Sequence, residues 1–391
     1  MRRSGVTLAG GLWLTQFALT TQALVVVAWM PWLAEDLGVS FSVGAGIVSL
    51  YAVILAVGAL VGGVLNDFAG PRRVVSVGVV VAGGGLALHP FVGCFESFVA
   101  VRVLTGCGHA LVGGGLLALM SRRFRLSGGR TFGWIMSGGG AGQTFGVACG
   151  LLLANRGAGW MVFAVCGGLL GIAFLRLFFD VWVDRRKPSP GGIRGWLGQM
   201  RESLRGVGGF SFAWQGSVAQ FLMYAGSALL VVFFPAWWTL SAGLGAGGLA
   251  IVLFMGGFIQ MLCTAGGGAL AARFRATEVV RVSLWVSGVL LLLGSVFQWF
   301  PFMWMTSIYL LGVATMSLRL SPVQVVVSGA VPRRDAGSWL GLQAAMGQAG
   351  RAGGSALGAL MFAPGGMPVI AITGALAFLL SEHAFSKAYG R

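Results

Sequence analysis

The chain has 391 residues, of which 57% are hydrophobic and only 9% carry a charge. Its mean hydropathy of +0.88 excludes a water-soluble globular protein of this length. In a soluble protein, the net charge of +16 would suggest nucleic-acid binding. Here we attribute the charge to membrane topology and to contact with anionic membrane lipid, and we expect no nucleic-acid partner.

Twelve apolar runs follow one another along the chain, each near or above the roughly 20 residues that a helix needs to cross hydrocarbon. They are numbered here as runs 1 to 12 and cover residues 6–33, 41–66, 74–93, 97–120, 131–155, 159–182, 208–236, 246–271, 278–299, 302–329, 336–362 and 366–386. This pattern predicts an all-α membrane protein with twelve transmembrane helices. No small-residue cleavage site follows run 1, so we expect it to remain in the mature protein.

The polar gaps between the runs differ in charge from one side to the other. If the N-terminus is cytoplasmic, the cytoplasmic gaps and tails hold 21 Lys and Arg residues, whereas the opposite side holds only Arg156. Translocation of positive charge is disfavoured, so this bias predicts that both termini are cytoplasmic. We therefore expect a multi-pass integral membrane protein in the cytoplasmic membrane of a prokaryote.

A longer polar stretch rich in Arg, Lys, Pro, Ser and Gly separates run 6 from run 7. It predicts a six-helix bundle at 1–183, a cytoplasmic linker at 184–207 and a second six-helix bundle at 208–391. The two halves echo each other, because the gap at 63–73 after run 2 is similar to the gap at 268–275 after run 8. Paired six-helix halves are typical of secondary transporters.

Motifs for catalysis or metal binding are absent from the sequence. It contains no HExxH, GxxxxGK[ST] or GxSxG element, and its five cysteines show no CxxC spacing. We therefore expect no enzyme, no cofactor and no metal site.

The gap after run 2 carries the most specific motif in the chain. It contains, in this order, Gly63, Asp67, Gly70, Arg72 and Arg73. Together with the twelve predicted helices, this loop resembles the signature of the major facilitator superfamily, and the resemblance covers essentially the whole chain. The sequence departs from the family pattern at Phe68, where a basic residue is usual, and at Ala272, which replaces the aspartate in the second copy.

The resemblance implies that this loop has a gating role. In the family, a carboxylate at the position of Asp67 engages basic loop residues and the start of the eleventh helix on the cytoplasmic face. Such a carboxylate gains from charge pairing with Arg72, Arg73 or Arg130 and from the helix dipole, and it loses these contacts when the halves rock apart. The alternative is an ordinary solvated loop acid.

Runs 4 and 5 carry two further elements of interest. The stretch from Arg102 to His109 matches the RxxxGxG element of the same family, and a guanidinium inside an apolar run should face the bundle interior or a water-filled cavity. We assign Arg102 and His109 a supporting role in binding or coupling, with a structural or snorkelling role as the alternative. Run 5 carries glycines at intervals of four that permit close helix packing, namely Gly138, Gly142, Gly146 and Gly150.

Runs 10 and 11 each carry an arginine near the middle, Arg319 and Arg351, without an acidic residue in the same run. Intramembrane charge marks a substrate path by default, and an unpaired guanidinium favours a carboxylate or another oxyanion. The alternative is a structural role, in which the guanidinium groups bond to backbone carbonyls near Pro322 and nearby glycines. Gln343 lies on the helix face that leads to Arg351, and Gln220 and Tyr224 share one face of run 7.

The sequence therefore predicts a secondary active transporter that moves a small, carboxylate-like anion by alternating access. Arg319 and Arg351 would bind the anion, and Gln220, Tyr224 and Gln343 would orient it. We expect a monomer in contact with membrane lipid, with a coupling proton or a counter-anion as a further partner. One alternative is proton-coupled efflux of drug-like or amphiphilic compounds, and another is a transporter-like receptor or scaffold.

Overall fold

The structure is a computed structural model that describes residues 2–39, 41–124, 129–154, 156–181, 198, 202, 205–206, 208–241, 246–296, 302–332 and 336–390. Within these residues all regular secondary structure is helical. This confirms the predicted all-α class, since long apolar sequences satisfy their backbone hydrogen bonds within each helix.

The helices of the first half follow the predicted runs closely. They are α1 (Arg2–Asp36), α2 (Phe41–Ala69), α3 (Pro71–Leu88), α4 (Phe95–Arg123), α5 (Arg130–Ala141), α6 (Val147–Ala154) and α7 (Met161–Val181). A short 3-10 turn, His89–Phe91, extends α3. A π-helical turn, Gly142–Gly146, joins α5 to α6, so run 5 is one continuous helical path with a wider turn at its centre.

The helices of the second half differ from the predicted runs at one place. They are α8 (Ala213–Ser241), α9 (Ala246–Arg273), α10 (Ala276–Val296), α11 (Phe302–Leu318), α12 (Leu320–Gly329) and α13 (Ala336–Tyr389). Run 10 is divided into α11 and α12 at Arg319. The segment α13 comprises two helices, which correspond to runs 11 and 12 and are separated by a kink at Gly366, where φ of +59° and ψ of −158° are not helical.

Nine segments in the described part of the chain are long and apolar enough to span a membrane. A shorter apolar segment, Met161–Leu177, lies in α7. These segments support a multi-pass integral membrane protein. The count of twelve helices and the cytoplasmic position of both termini stay predictions.

The chain forms two compact units. Unit 1 comprises Met1–Phe124, Trp134–Val207 and Val331–Ala345, and unit 2 comprises Arg125–Gly133, Gly208–Ala330 and Met346–Arg391. Each unit thus includes a short segment from the other half of the sequence. Most of the predicted linker at 184–207 lies outside the described residues, so the predicted domain boundaries stay predictions.

The glycine stripe of run 5 packs against α1 within unit 1. Gly138, Gly142, Gly146 and Gly150 face Trp13, Phe17, Thr21 and Val25, respectively. A Cβ atom at Gly142 would lie only 2.5 Å from the carbonyl oxygen of Phe17. The four-residue spacing is the same on both helices, so hydrogens replace side chains along the whole contact and the two backbones approach closely.

Replacing Gly142 with alanine should therefore destabilise the protein, because a rigid backbone carbonyl occupies the space of the new methyl group. We expect a loss of about 1–3 kcal/mol, as is usual for overpacking. Thermal unfolding of the purified protein in detergent measures the effect. Gly168→Ala in α7 is the matched control, since a Cβ there meets no atom within 4 Å. Equal unfolding temperatures for the two variants would contradict this interpretation.

Candidate functional site

Asp67, near the end of α2, binds the beginning of α13 within unit 1. Its Oδ1 accepts a hydrogen bond from the backbone N–H of Gly337 at 2.7 Å, and its Oδ2 accepts one from that of Ser338 at 2.6 Å. The first N–H groups of a helix lack partners within the helix and carry partial positive charge. Asp67 satisfies two of them with a carboxylate and thus caps α13 from another helix.

Close backbone contact makes this cap possible. A Cβ at Gly63 would lie 2.8 Å from the carbonyl oxygen of Gly337, and a Cβ at Gly341 would lie 2.6 Å from that of Ala59. Any side chain at these positions would push α2 and α13 apart and withdraw Asp67 from the helix terminus. The signature glycine Gly63 is therefore required for the close packing of α2 against α13, which places Asp67 at the helix terminus.

The second signature glycine, Gly70, forms the tight turn between α2 and α3. Its φ of +87° lies in the region that only glycine adopts without strain, and Pro71 then occupies the first position of α3. The two residues together end α2 directly after Asp67 and begin α3 without a loop. The turn therefore fixes the place of the carboxylate at the end of α2.

The basic partner of Asp67 in the structure is Arg122, which sequence reasoning did not select. The Nη2 atom of Arg122 lies 3.4 Å from Oδ1 of Asp67. Of the predicted partners, Arg72 is half-buried, whereas Arg73 and Arg130 are exposed. Runs 2 and 4 are separated by one antiparallel run, so both end on the same side. Several arginines follow these two runs, and the helix packing brings Arg122 to Asp67. The side chain of Phe68 lies outside the described residues.

The second copy of the loop repeats the packing in unit 2 but not the charge. A Cβ at Gly268 of α9 would lie 2.8 Å from the Cα of Gly133 in α5. This close contact corresponds to that between Gly63 and Gly341. Ala272 stands four residues after Gly268, where Asp67 stands after Gly63. Unit 2 therefore has the glycine contact without a carboxylate cap.

Unit 1 also contains a buried arginine in α4. Arg102 is only 2% exposed, and its Nη1 donates a hydrogen bond to Oε1 of Gln22 at 2.7 Å. Its guanidinium carbon lies 4.2 Å from the ring centroid of Tyr51, which is a cation–π distance. An amide and an aromatic face thus hold this cation, and both are neutral.

A chain of hydrogen bonds connects Arg102 to His109 through three helices. Gln22 of α1 donates from Nε2 to the hydroxyl of Tyr51 at 2.6 Å, and this hydroxyl lies 2.9 Å from Nδ1 of His109. The structure thus brings the predicted pair, Arg102 and His109, into one polar network. Sequence reasoning missed Tyr51, although a tyrosine in an apolar run needs a partner for its hydroxyl.

Arg319 occupies the equivalent role of a buried cation in unit 2. It is 1% exposed; its Nη1 donates to Oγ of Ser287 at 2.8 Å and its Nη2 donates to Oγ of Ser227 at 3.2 Å. The ring centroid of Phe378 lies 4.6 Å from its guanidinium carbon. Three further helices, α8, α10 and α13, therefore supply neutral partners for this charge.

The position of Arg319 follows from Pro322. Proline has no N–H and its ring clashes with the carbonyl of the residue four positions earlier, which here is Leu318. The helix of run 10 is interrupted at this point, and Arg319 lies between α11 and α12. The carbonyl of Leu318 packs against Gly267 of α9, where a side chain would block it.

Arg351, the second predicted anion-binding arginine, is exposed. Its guanidinium carbon is 4.7 Å from the ring centroid of Tyr224. A Cβ at Gly347 would lie 3.1 Å from the Tyr224 ring, so this glycine lets α13 approach α8. Tyr224 is thus the aromatic neighbour of Arg351 within unit 2.

The two predicted glutamines are both buried. Gln220 is 4% exposed and lies one turn before Tyr224 on α8, in unit 2. Gln343 is 2% exposed and belongs to the part of α13 that is included in unit 1. The structure therefore groups Arg319, Arg351, Tyr224 and Gln220 in one unit.

The charges of the described residues are distributed unevenly. Their ion pairs join Arg122 to Asp67, and Arg281 to both Glu278 and Glu382. None of these pairs includes Arg102 or Arg319, the two buried cations. Removing a charge from water without a counter-ion is costly. The described residues contain no cluster of possible metal ligands.

Asp67→Asn should weaken the cap on α13, because a neutral amide offers only one acceptor oxygen and no charge to the two N–H groups. Hydrogen bonds to charged groups contribute about 1.5–3 kcal/mol. We expect backbone amides at 336–341 to exchange with deuterium at least tenfold faster in the purified variant. Hydrogen–deuterium exchange mass spectrometry measures this, with Asp36→Asn as the control at an exposed helix end. Unchanged exchange at 336–341 would show that the cap does not hold α13.

Comparison with known proteins agrees with this architecture. The family model of the Major Facilitator Superfamily matches residues 12–215, which is more than half of the chain. No curated protein sequence matches the chain.

Solved structures of transporters share the fold. The human organic anion transporter MFSD10 (TETRAN) has a TM-score of 0.78 at 19% identity, over 98% of this chain and 99% of that one. The proton:xylose symporter XylE has a TM-score of 0.75 at 14% identity, over 98% of this chain and 95% of that one. The E. coli fucose:proton symporter FucP has a TM-score of 0.74 at 14% identity, over 96% of this chain and 97% of that one. The chain belongs to the Major Facilitator Superfamily, a family of membrane transporters rather than enzymes.

Proposed function

We propose that this transporter moves a small anion with a carboxylate or similar oxyanion across the membrane by alternating access. The observation that carries the proposal is the buried positive charge of Arg319, which only neutral groups surround among the described residues. Hydroxyl groups satisfy N–H donors but do not neutralise the cation. A substrate anion supplies the missing charge.

The geometry of a guanidinium suits an oxyanion. It offers five N–H donors in one plane, and a carboxylate accepts two of them in parallel. Two donors of Arg319 are directed to Ser287 and Ser227. In this proposal, a substrate carboxylate accepts from the remaining donors. Because the two serine hydroxyls are neutral, an anion can join this arrangement without displacing a bound carboxylate.

Arg351 and Tyr224 provide a second point of contact for the anion. The exposed guanidinium of Arg351 rests on the Tyr224 ring, and this stacking restricts the long side chain before a ligand arrives. We assign charge binding to Arg319 and Arg351, and orientation of the anion to Tyr224 and Gln220. Gln343 belongs to unit 1, so its predicted orienting role stays a prediction from the sequence.

The gating contact fits alternating access. Asp67 accepts two hydrogen bonds from the start of α13 and forms an ion pair with Arg122. The two hydrogen bonds must break when α13 moves away from α2. The bonds are few and end on a single carboxylate, so their rupture can accompany a rigid-body movement of helices. We place this contact at the cytoplasmic face, on the basis of the positive charge of the adjoining loops.

The solved structure of MFSD10 is that of an organic anion transporter, which agrees with the proposed class of substrate. The XylE and FucP structures are those of proton:sugar symporters. All three likenesses extend to the fold alone. The substrate class of this chain therefore rests on its own arginines.

The proposal predicts saturable uptake of a small organic anion into proteoliposomes, measured with a panel of labelled mono- and dicarboxylates. Arg319→Gln and Arg351→Gln should each raise the apparent KM about tenfold or more, because a charge-assisted contact is lost. Arg319→Lys keeps the charge but not the planar donor pair, so we expect an intermediate value. Arg156→Gln, which changes an exposed loop arginine, is the control.

Circular dichroism and size-exclusion chromatography should show that each variant remains folded. If uptake of every transported anion is the same in wild type, Arg319→Gln and Arg351→Gln, the anion site is wrongly placed.

Proton-coupled efflux of drug-like or amphiphilic compounds is the second candidate, and the network of Gln22, Tyr51 and His109 favours it. The Tyr51 hydroxyl accepts a hydrogen bond from Gln22, and it can donate its own hydrogen to Nδ1 of His109 when this nitrogen carries no proton. A protonated His109 carries an N–H at this position and must donate instead. Uptake of a proton therefore reorients the hydrogen bond next to Arg102, which is a plausible step in coupling.

Under this second candidate, Tyr51→Phe and His109→Gln should abolish the response of transport to an imposed pH gradient. The measurement is movement of a labelled lipophilic cation in proteoliposomes with and without the gradient. His383→Gln, at an exposed position of α13, is the matched control for loss of an imidazole. A full response to the gradient in both variants would remove His109 from proton coupling.

A further inference from the structure

An apolar crevice of about 410 Å³ lies on the side of unit 2, between α9, α10 and α11. Its walls include Leu270 of α9, Val282 and Val286 of α10, and Leu318 of α11. Its volume falls within the roughly 300–1,000 Å³ of pockets that hold small ligands. The crevice is independent of the transport function proposed above.

The crevice opens to the membrane rather than to the core. Val282 is 60% exposed, Val286 is 40% exposed and the ring of Phe274, which lines one end, is 56% exposed. In a multi-pass membrane protein, such exposed apolar side chains contact the hydrocarbon of the bilayer. A hydrocarbon chain is therefore the chemical group that matches the walls of the crevice.

The end of the crevice at the α9–α10 turn carries positive charge. Arg273 and Arg275 flank Phe274 and are exposed, and the guanidinium carbon of Arg273 lies 5.7 Å from the centroid of this ring. Neither arginine belongs to an ion pair of the described residues. The acid at this end, Glu278, is already bound by Arg281 at 3.3 Å. Two cations are thus available beside the opening of an apolar crevice.

From this arrangement we propose that the crevice binds one anionic phospholipid of the bilayer. One acyl chain lies between α9, α10 and α11, and the headgroup phosphate binds Arg273 and Arg275. A zwitterionic lipid fills the apolar part equally well but gains less from the two arginines. The charge of the headgroup is therefore the basis of selection, at about fivefold in affinity per arginine.

The bound chain lies against the helix pair that positions Arg319. Thr315 lines the crevice, and its Oγ1 lies 2.9 Å from Oγ of Ser287. The Ser287 hydroxyl in turn accepts a hydrogen bond from Arg319. Filling the crevice thus supports the contact between α10 and α11. The lipid is a structural ligand, and its binding does not depend on the identity of the substrate.

Native mass spectrometry of the purified protein tests the proposal, with an equimolar mixture of phosphatidylglycerol and phosphatidylcholine as the probe. We expect wild-type protein to retain one phosphatidylglycerol in preference to phosphatidylcholine. The double variant Arg273→Gln/Arg275→Gln should lose most of this preference. Arg156→Gln/Arg205→Gln removes two exposed positive charges elsewhere and should keep it.

A second pair of variants tests the crevice itself. Val282→Phe places a larger side chain in the crevice and should reduce retention of phosphatidylglycerol severalfold. Val289→Phe lies two turns further along the same face of α10, is 47% exposed in the wild type and is not part of the walls, so it should behave as wild type. This pair separates filling of the crevice from a general effect of a bulkier, lipid-facing residue.

Four results would overturn the proposal. Equal retention of the two lipids by wild type would exclude selection by headgroup charge. Equal retention of phosphatidylglycerol by wild type and Arg273→Gln/Arg275→Gln, or by Val282→Phe and Val289→Phe, would exclude this location. Displacement of the retained lipid by equimolar oleate would identify a free fatty acid, rather than a phospholipid, as the preferred occupant.

Discussion

The need to accommodate a guanidinium away from water shapes the interior of unit 2. Arg319 draws hydroxyl groups from Ser227 of α8 and Ser287 of α10 and an aromatic face from Phe378 of α13. Pro322 interrupts the helix at this point, so the charged residue lies at a helix junction. The contacts of Arg319 therefore restrict the positions of four helical segments. Moving α8 or α10 would leave donors of Arg319 unsatisfied, at a cost of about 1–3 kcal/mol per buried group and more for charged groups.

Close backbone contacts provide the second constraint, and they reveal the duplicated plan of the chain. Gly63 packs against the start of α13 in unit 1, and Gly268 packs against the start of α5 in unit 2. The two contacts use equivalent positions, but only the first is followed by an acid, Asp67, whereas the second is followed by Ala272. The first contact therefore combines packing with a charged helix cap, and the second relies on packing. The two copies thus respond differently to changes in charge, although their backbone contacts are alike.

The sequence predicts those features that stand out against an apolar background. Long apolar runs predicted the helices, and charged residues within them predicted buried sites at Arg102 and Arg319, because a lone charge in such a run needs shelter. It did not identify Tyr51 or Ser287 as partners, since neutral polar side chains are frequent in membrane helices and satisfy themselves locally. Arg122 was missed for a different reason: several arginines follow neighbouring helices, and only the packing of those helices selects one.

The division between paired and unpaired cations bears on how the protein can work. Among the described residues, the ion pairs of Arg122 and Arg281 lie toward helix ends, where the acids Asp67, Glu278 and Glu382 supply the negative charge. Arg102 in unit 1 and Arg319 in unit 2 instead have neutral partners. A carboxylate in their place would neutralise the guanidinium permanently, and a substrate anion would then have to compete with it. In the proposed transport of an anion, neutral partners keep the cation in position and leave its charge to be neutralised by a ligand that can depart.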